Sequence, residues 1–298
     1  MNTGFLYQAI FLMVSLKLVA ALALGQTVQE PLSDKENPLL IGKRDLNTDR
    51  INFYSLDQEI ALGRQFAVEF DREVRLLDDP LVTEYVNRVG QNIALHSDAG
   101  MPFTIKIIDS DDVNAFALPG GYLYISRGVL EAADSEAELA WVMAHLIGHV
   151  AARHALEQAS KANGGSIPLI FFGGRAARLA VPLTFLKFSR GAEEEADQLG
   201  AQYMWASGYD PQALSDLLKK LQLKEEANPG AVPKLFNSHL MTGDRIAKVN
   251  RLVARFPDRL EFKPDSLEFS VIKARLMAIH AEKRLSDSPN TRPVLRRR

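Results

Sequence analysis

The spacing of apolar residues along the chain predicts helices first. From residue 57 to 74, Ile60, Ala61, Phe66, Val68 and Phe70 recur among charges in a mainly helical pattern. Asp79-Pro80 opens a second helix, where Val82, Tyr85, Val86, Val89 and Ile93 fall at helical spacing and the proline sits in the first turn. The period then drops to two. Phe103, Ile105 and Ile107 face one way and Thr104 and Lys106 the other, which makes 103–108 a strand. Residues 113–125 continue as a strand pair, or a strand and turn, punctuated by Pro119-Gly120-Gly121, where glycine permits unusual backbone angles or the close approach of another segment. Ser135 and Glu138 have the capping-box form S-x-x-E at the head of a long helix expected to run to about Ala159.

Residues 161–188 are strongly apolar and glycine-punctuated, but Arg175 and Arg178 interrupt them, so neither side is long enough to span a bilayer. Such a stretch packs in the core, covers the face of a site or rests on a membrane surface. Helices follow over 189–205, ended by Gly208, from Asp210-Pro211 to about 226, over 244–255 and over 267–285. The expected fold class is α+β, mostly helical, with a small β-sheet beside the long central helix.

At 298 residues the chain holds one large domain or two small ones. A formal net charge of −2 gives no bulk attraction for nucleic acid, and none is expected as a partner. The four arginines of 292–298 read as a solvated tail. There is no cysteine, which excludes disulfides, thiolate ligands and a lipid-modified N-terminal cysteine; any metal must be held by imidazole and carboxylate. Residues 5–24 are mostly apolar, and Ala23 and Gly25 stand at −3 and −1 relative to Gln26, which suits signal-peptidase cleavage. A retained anchor is the alternative, at the cost of Lys17 in mid-span. Residues 1–25 are therefore read as an export signal, 26–50 as a polar linker or arm, 51–260 as the folded domain and 261–298 as a C-terminal helix with a basic tail.

The chemistry concentrates in the long helix. His145 and His149 stand four apart, so at about 100° per residue both imidazoles leave one face, as a shared metal ion requires. In the zinc-protease pattern H-E-x-x-H the glutamate is the general base towards the attacking water. Here that position is Leu146. The compact pattern H-E-x-x-H-x-x-G-x-x-H, which takes its third ligand from just beyond the pair, is excluded, because Ala152 and Ala155 occupy the positions of its glycine and third histidine. His154 lies nine residues from His145, about 180° round an unbroken helix, and is expected to face elsewhere. The remaining source of a ligand is a later helix. Glu193 and Asp197 stand four apart, so one face can offer a carboxylate ligand and a second carboxylate that fixes a histidine tautomer. Glu194 and Glu195 sit about 100° and 200° away from Glu193 and are not expected to replace the missing base.

Five separated motifs carry a family resemblance: NAFALPGGYLYISRGVL at 114–130, MAHLIGHVAARH at 143–154, FSRGAEEEADQLG at 188–200, SGYDP at 207–211 and SHLMTGDRI at 238–246. The chain resembles the HtpX-like zinc metallopeptidases, a family that includes the CAAX prenyl endopeptidases, and within it the soluble periplasmic branch associated with outer-membrane protein quality control. The resemblance implies a zincin-like domain with one Zn2+ held by His145, His149 and Glu193, and Asp197 supporting a ligand. It places His239 where that branch carries a histidine able to block the water position, with Arg245 as the arginine that follows, although Leu240 stands where a proline is usual. It makes the strand with Gly120, Gly121, Tyr122, Leu123 and Tyr124 the edge on which an extended substrate lies. The expected partners are unfolded or outer-membrane polypeptides, with peripheral membrane contact. Three readings compete: a metalloendopeptidase whose hydrolysis is impaired at Leu146, a zinc-binding pseudopeptidase that holds polypeptides without cutting them, and a structural relic whose histidines make only core hydrogen bonds, which the shared survival of His145, His149, Glu193 and Asp197 weakens.

Overall fold

The computed structural model describes residues 30–48, 50–163, 188–213, 216–217 and 243–287. Contacts divide the chain into residues 1–33, of which 30–33 are described, and residues 34–298, which hold every described helix and strand. The expected export signal, most of the apolar run 161–188, most of the helix expected from Asp210-Pro211 to about 226, His239 with its loop, and the basic tail lie outside the described residues.

Helix α1 (Leu56–Asp71) starts at a reciprocal cap in which Ser55 and Gln58 each satisfy the other's backbone N–H. In α2 (Pro80–Leu95) the Asp79 side chain accepts from the Val82 N–H, and Pro80 occupies the first turn. Three short strands follow, β1 (Thr104–Ile108), β2 (Ala115–Leu118) and β3 (Tyr122–Ser126), then α3 (Arg127–Ala132), α4 (Glu136–Ala151), α5 (His154–Asn163), α6 (Arg190–Ser207), α7 (Gly243–Val253) and α8 (Leu267–Asp287). The α+β class, mostly helical with a small sheet, is the observed one. Among the described residues no helix is long and apolar enough to cross a membrane.

The sheet order is β1-β3-β2, with β1 parallel and β2 antiparallel to β3. Tyr122, Leu123 and Tyr124 therefore lie on the central strand, with both edges paired, and cannot receive an added peptide strand. This corrects the edge-strand expectation. Leu123 and Tyr124 are wholly buried. Tyr124 packs edge-on against Phe70 at 4.7 Å, stacks on Phe116 and donates its hydroxyl to Asp71. Gly120 and Gly121, both at positive φ, form the tight connection from β2 to β3. The edge strand that packs on α4 is β2.

Helix α4 is buried along almost its whole length and lies directly on α6. Glycines allow the contact. A Cβ at Gly148 would stand 2.8 Å from the Ala196 carbonyl oxygen, and one at Gly200 would stand 3.1 Å from the His145 backbone nitrogen. The Ser135 hydroxyl accepts from the Glu138 N–H as expected, but the Glu138 carboxylate accepts from Asp134 rather than closing the box on Ser135. In the first turn, the Glu136 carboxylate accepts from Tyr85, Tyr209 and Ser266, drawn from α2, the turn after α6 and the start of α8. Burial opposes its charge, but these three hydroxyls outweigh burial and hold its pKa below the ordinary value.

The long helix does not run to Ala159. It ends at Ala151, and Arg153 turns the chain with φ 53 before α5 begins at His154. The Arg153 guanidinium is held by the Glu59 carboxylate at 2.5 Å and the Tyr54 carbonyl at 2.7 Å. Arginine occupies the left-handed region here because these contacts fix it.

Candidate metal centre

The close packing of α4 on α6 brings the first turn of α6 beside the middle of α4. His145, His149 and Glu193, all buried, offer donor atoms within 4.8 Å of one another. The two Nε2 atoms are 3.1 Å apart, and each stands 3.5 Å from a Glu193 carboxylate oxygen. Two imidazoles and one carboxylate converging in a buried pocket fit a divalent cation of intermediate softness, and leave its remaining position to another ligand.

The rings are fixed on their outer edges and faces. Asp197 Oδ1 stands 3.0 Å from His145 Nδ1, the nitrogen that faces away from Glu193. Arg245 grips both Asp197 oxygens, at 2.6 and 2.8 Å, and reaches Glu193 Oε2 at 3.1 Å. From sequence, Arg245 is expected only as the arginine that follows His239; in the structure it is a buried counter-charge for both carboxylates. Burial favours neutral His145, but the hydrogen bonds and charges of Asp197 and Glu193 outweigh it and raise its pKa. The Trp141 ring stacks on His145 with centroids 5.3 Å apart, and Phe188 on His149 at 4.1 Å.

His154 is where the sequence reading fails. The turn at Arg153 swings it back onto His149, so that the two Nδ1 atoms are 2.9 Å apart. Its Nε2 stands 3.2 Å from Glu195, whose other oxygen is held by Arg50. Burial opposes the Glu195 charge, yet the hydrogen bonds from His154 and Arg50 bring its pKa down to about 2. Neither His154 nor Arg50 carries a local signal of this role, because the turn at Arg153 has no glycine or proline to mark it.

Leu146 is fully buried in α4, next to His145. No carboxylate described nearby takes the place of the missing glutamate: Glu194 pairs with Lys248 at 2.7 Å, and Glu195 is committed to His154 and Arg50.

The profile of Peptidase family M48 matches residues 80–253. Among similar proteins, the beta-barrel assembly-enhancing protease of Escherichia coli (strain K12) is 30% identical over 285 residues, covering 88% of this chain and 56% of that protein. A putative beta-barrel assembly-enhancing protease of Vibrio cholerae is 29% identical over 255 residues, 80% of this chain and 52% of its own. The mitochondrial metalloendopeptidase OMA1 of Schizosaccharomyces pombe is 29% identical over 215 residues, 68% of this chain and 63% of its own. The chain spans little more than half the length of the bacterial relatives. With the profile running over more than half of the sequence and enclosing the whole donor set, the chain belongs to peptidase family M48.

Proposed function

We propose that this chain is a zinc-binding metallopeptidase domain, exported from the cytoplasm, that engages unfolded or outer-membrane polypeptides in envelope protein quality control and hydrolyses peptide bonds poorly. The observation that carries the reading is a complete His-His-Glu donor set beside Leu146. Relatives named for beta-barrel assembly support the envelope assignment, and the family supports the reaction class. Residues 5–25 support export, and the apolar run in 161–188 supports peripheral contact with a membrane surface.

His145 and His149, through Nε2, and Glu193 would hold the ion, which supplies Lewis acidity towards a peptide carbonyl and its attacking water. Asp197 orients His145, and Arg245 balances the two carboxylates. The β2 edge, packed on α4, is the side of the sheet that can accept an extended chain. The step that position 146 does not supply is proton removal and delivery to the leaving amine: a hydrocarbon there can neither take nor return a proton, and His239, the one substitute base read from the sequence, lies outside the described residues. The commitments of Glu194 and Glu195 elsewhere favour a second reading, a pseudopeptidase that binds polypeptide without cutting it.

Zinc content and casein cleavage test both, measured for the wild type, Leu146→Glu and His145→Ala. One zinc per chain, with cleavage raised by at least ~10²-fold in Leu146→Glu, is the expected result. Equal cleavage by wild type and Leu146→Glu would overturn the argument from the missing base. A wild type without zinc would overturn both readings.

A further inference from the structure

We propose that His154 is a positioning residue for the metal ligand His149, and that Glu195 and Arg50 hold His154 in that role. The inference rests on the reading of His145, His149 and Glu193 as a metal centre. His149 turns Nε2 towards the other donors, so when that nitrogen binds a cation the ring's remaining proton sits on Nδ1. That Nδ1 lies 2.9 Å from His154 Nδ1 inside the buried core, and an N–H there needs an acceptor. His154 can accept only with its own proton on Nε2, and this is the nitrogen that faces Glu195 at 3.2 Å. The chain of donors therefore runs His149 Nδ1–H to His154 Nδ1, and His154 Nε2–H to Glu195. Arg50, on the arm before α1, closes it by bonding the other Glu195 oxygen and also Glu157 of α5 at 2.7 Å.

The two metal histidines are thus supported in different ways. His145 meets a carboxylate directly, whereas His149 reaches one through a second imidazole. The Phe188 ring lies on the face of His149 and near His154, so the Nδ1–Nδ1 contact adds an edge restraint to a ring already packed on its face. Because Arg50 belongs to the arm, the tautomer of a buried ligand is tied to a segment about a hundred residues earlier in the chain.

The test measures zinc affinity of the full chain by chelator competition, with thermal melts of the metal-free proteins alongside. His154→Ala should weaken zinc binding by about 10–100-fold, the usual effect of removing such support. His154→Asn places an amide oxygen near the position of Nδ1, and should restore most of the affinity. Glu195→Gln and Arg50→Ala should weaken binding by less than His154→Ala. A wild type that binds no zinc would sink the metal reading and this proposal with it. Tight zinc binding by the wild type that His154→Ala leaves unchanged would overturn the positioning role alone. So would equal loss in His154→Ala and His154→Asn, or melts that fall while zinc affinity holds. If His154→Ala does not fold, Asn and Glu195→Gln decide: wild-type affinity in Asn with a loss in Glu195→Gln supports the proposal, and wild-type affinity in both overturns it.

Discussion

Gly148 lies flat against Ala196, with no room between them for a methyl group. This contact sets the distance between α4 and α6, and through it the gap between the two imidazoles and Glu193. Gly148→Ala should push the helices apart. The expected cost is ~1–3 kcal/mol in urea unfolding, the usual range for overpacking, together with weaker zinc binding. An unchanged unfolding midpoint would show that the helices separate freely, and that the close contact does not build the site.

Arg245 is enclosed with Asp197 and Glu193, and its removal takes away the permanent positive charge that the two buried carboxylates share, leaving them only His145, a cation only when its ring is protonated. In the metal-free protein, Arg245→Ala should cost ~3–5 kcal/mol by denaturant titration. Arg245→Lys should recover part of this, since lysine restores charge but not the two-pronged grip on Asp197. Added zinc should narrow the gap between Arg245→Ala and wild type, because the ion supplies the missing positive charge.

His145 has a folded-state pKa above its ordinary value of 6.5 in the metal-free chain. Its pairing with Asp197 and Glu193 therefore stabilises the fold fully below about pH 6.5, and is lost as pH rises through the raised folded value. Zinc needs the neutral ring, so its affinity should climb over the same window as pH increases, with proton release on binding. Melts of metal-free protein between pH 5 and 9, paired with zinc titrations, check both signs. Stability that rises with pH across this window, with Asp197→Asn making no difference, would contradict the assignment.

Arg153 combines a left-handed backbone with an ion pair to Glu59. Arg153→Ala loses the pair and keeps the unfavourable φ, whereas Arg153→Gly loses the pair and removes the steric cost. Glycine should therefore be the more stable of the two by ~1 kcal/mol, measured by thermal or urea unfolding. Alanine equal to or better than glycine would mean that the turn rearranges.

Each half of the donor set was legible in local geometry, and the family resemblance joined Glu193 to the two histidines. Four-residue spacing puts His145 with His149 and Glu193 with Asp197 whatever surrounds the helices, and the absence of cysteine limits the ligands to these types. Two things were not legible. The helix break at Arg153 is imposed by Glu59 and Tyr54, nearly a hundred residues earlier, so His154 was assigned the wrong side of a helix that does not continue. The strand order is also non-local. Nothing within 122–126 shows that β1 and β2 pair on either side of it, and an apolar run reads alike as an edge or a centre. Arg245 stood in a recognised motif, but its grip on Asp197 appears only when α7 meets α6.

The Glu136 cluster has a consequence for how the protein comes apart. Three hydroxyls from segments far apart in sequence close on the first turn of α4, so that helix cannot unravel from its head while α2, the turn after α6 and the start of α8 remain in place. Amide hydrogens of α4 should then exchange only through the largest opening of the molecule. His145 and His149 sit within that last-opening unit. A bound ion would stay with the chain through smaller, local excursions, and its escape would keep time with global unfolding.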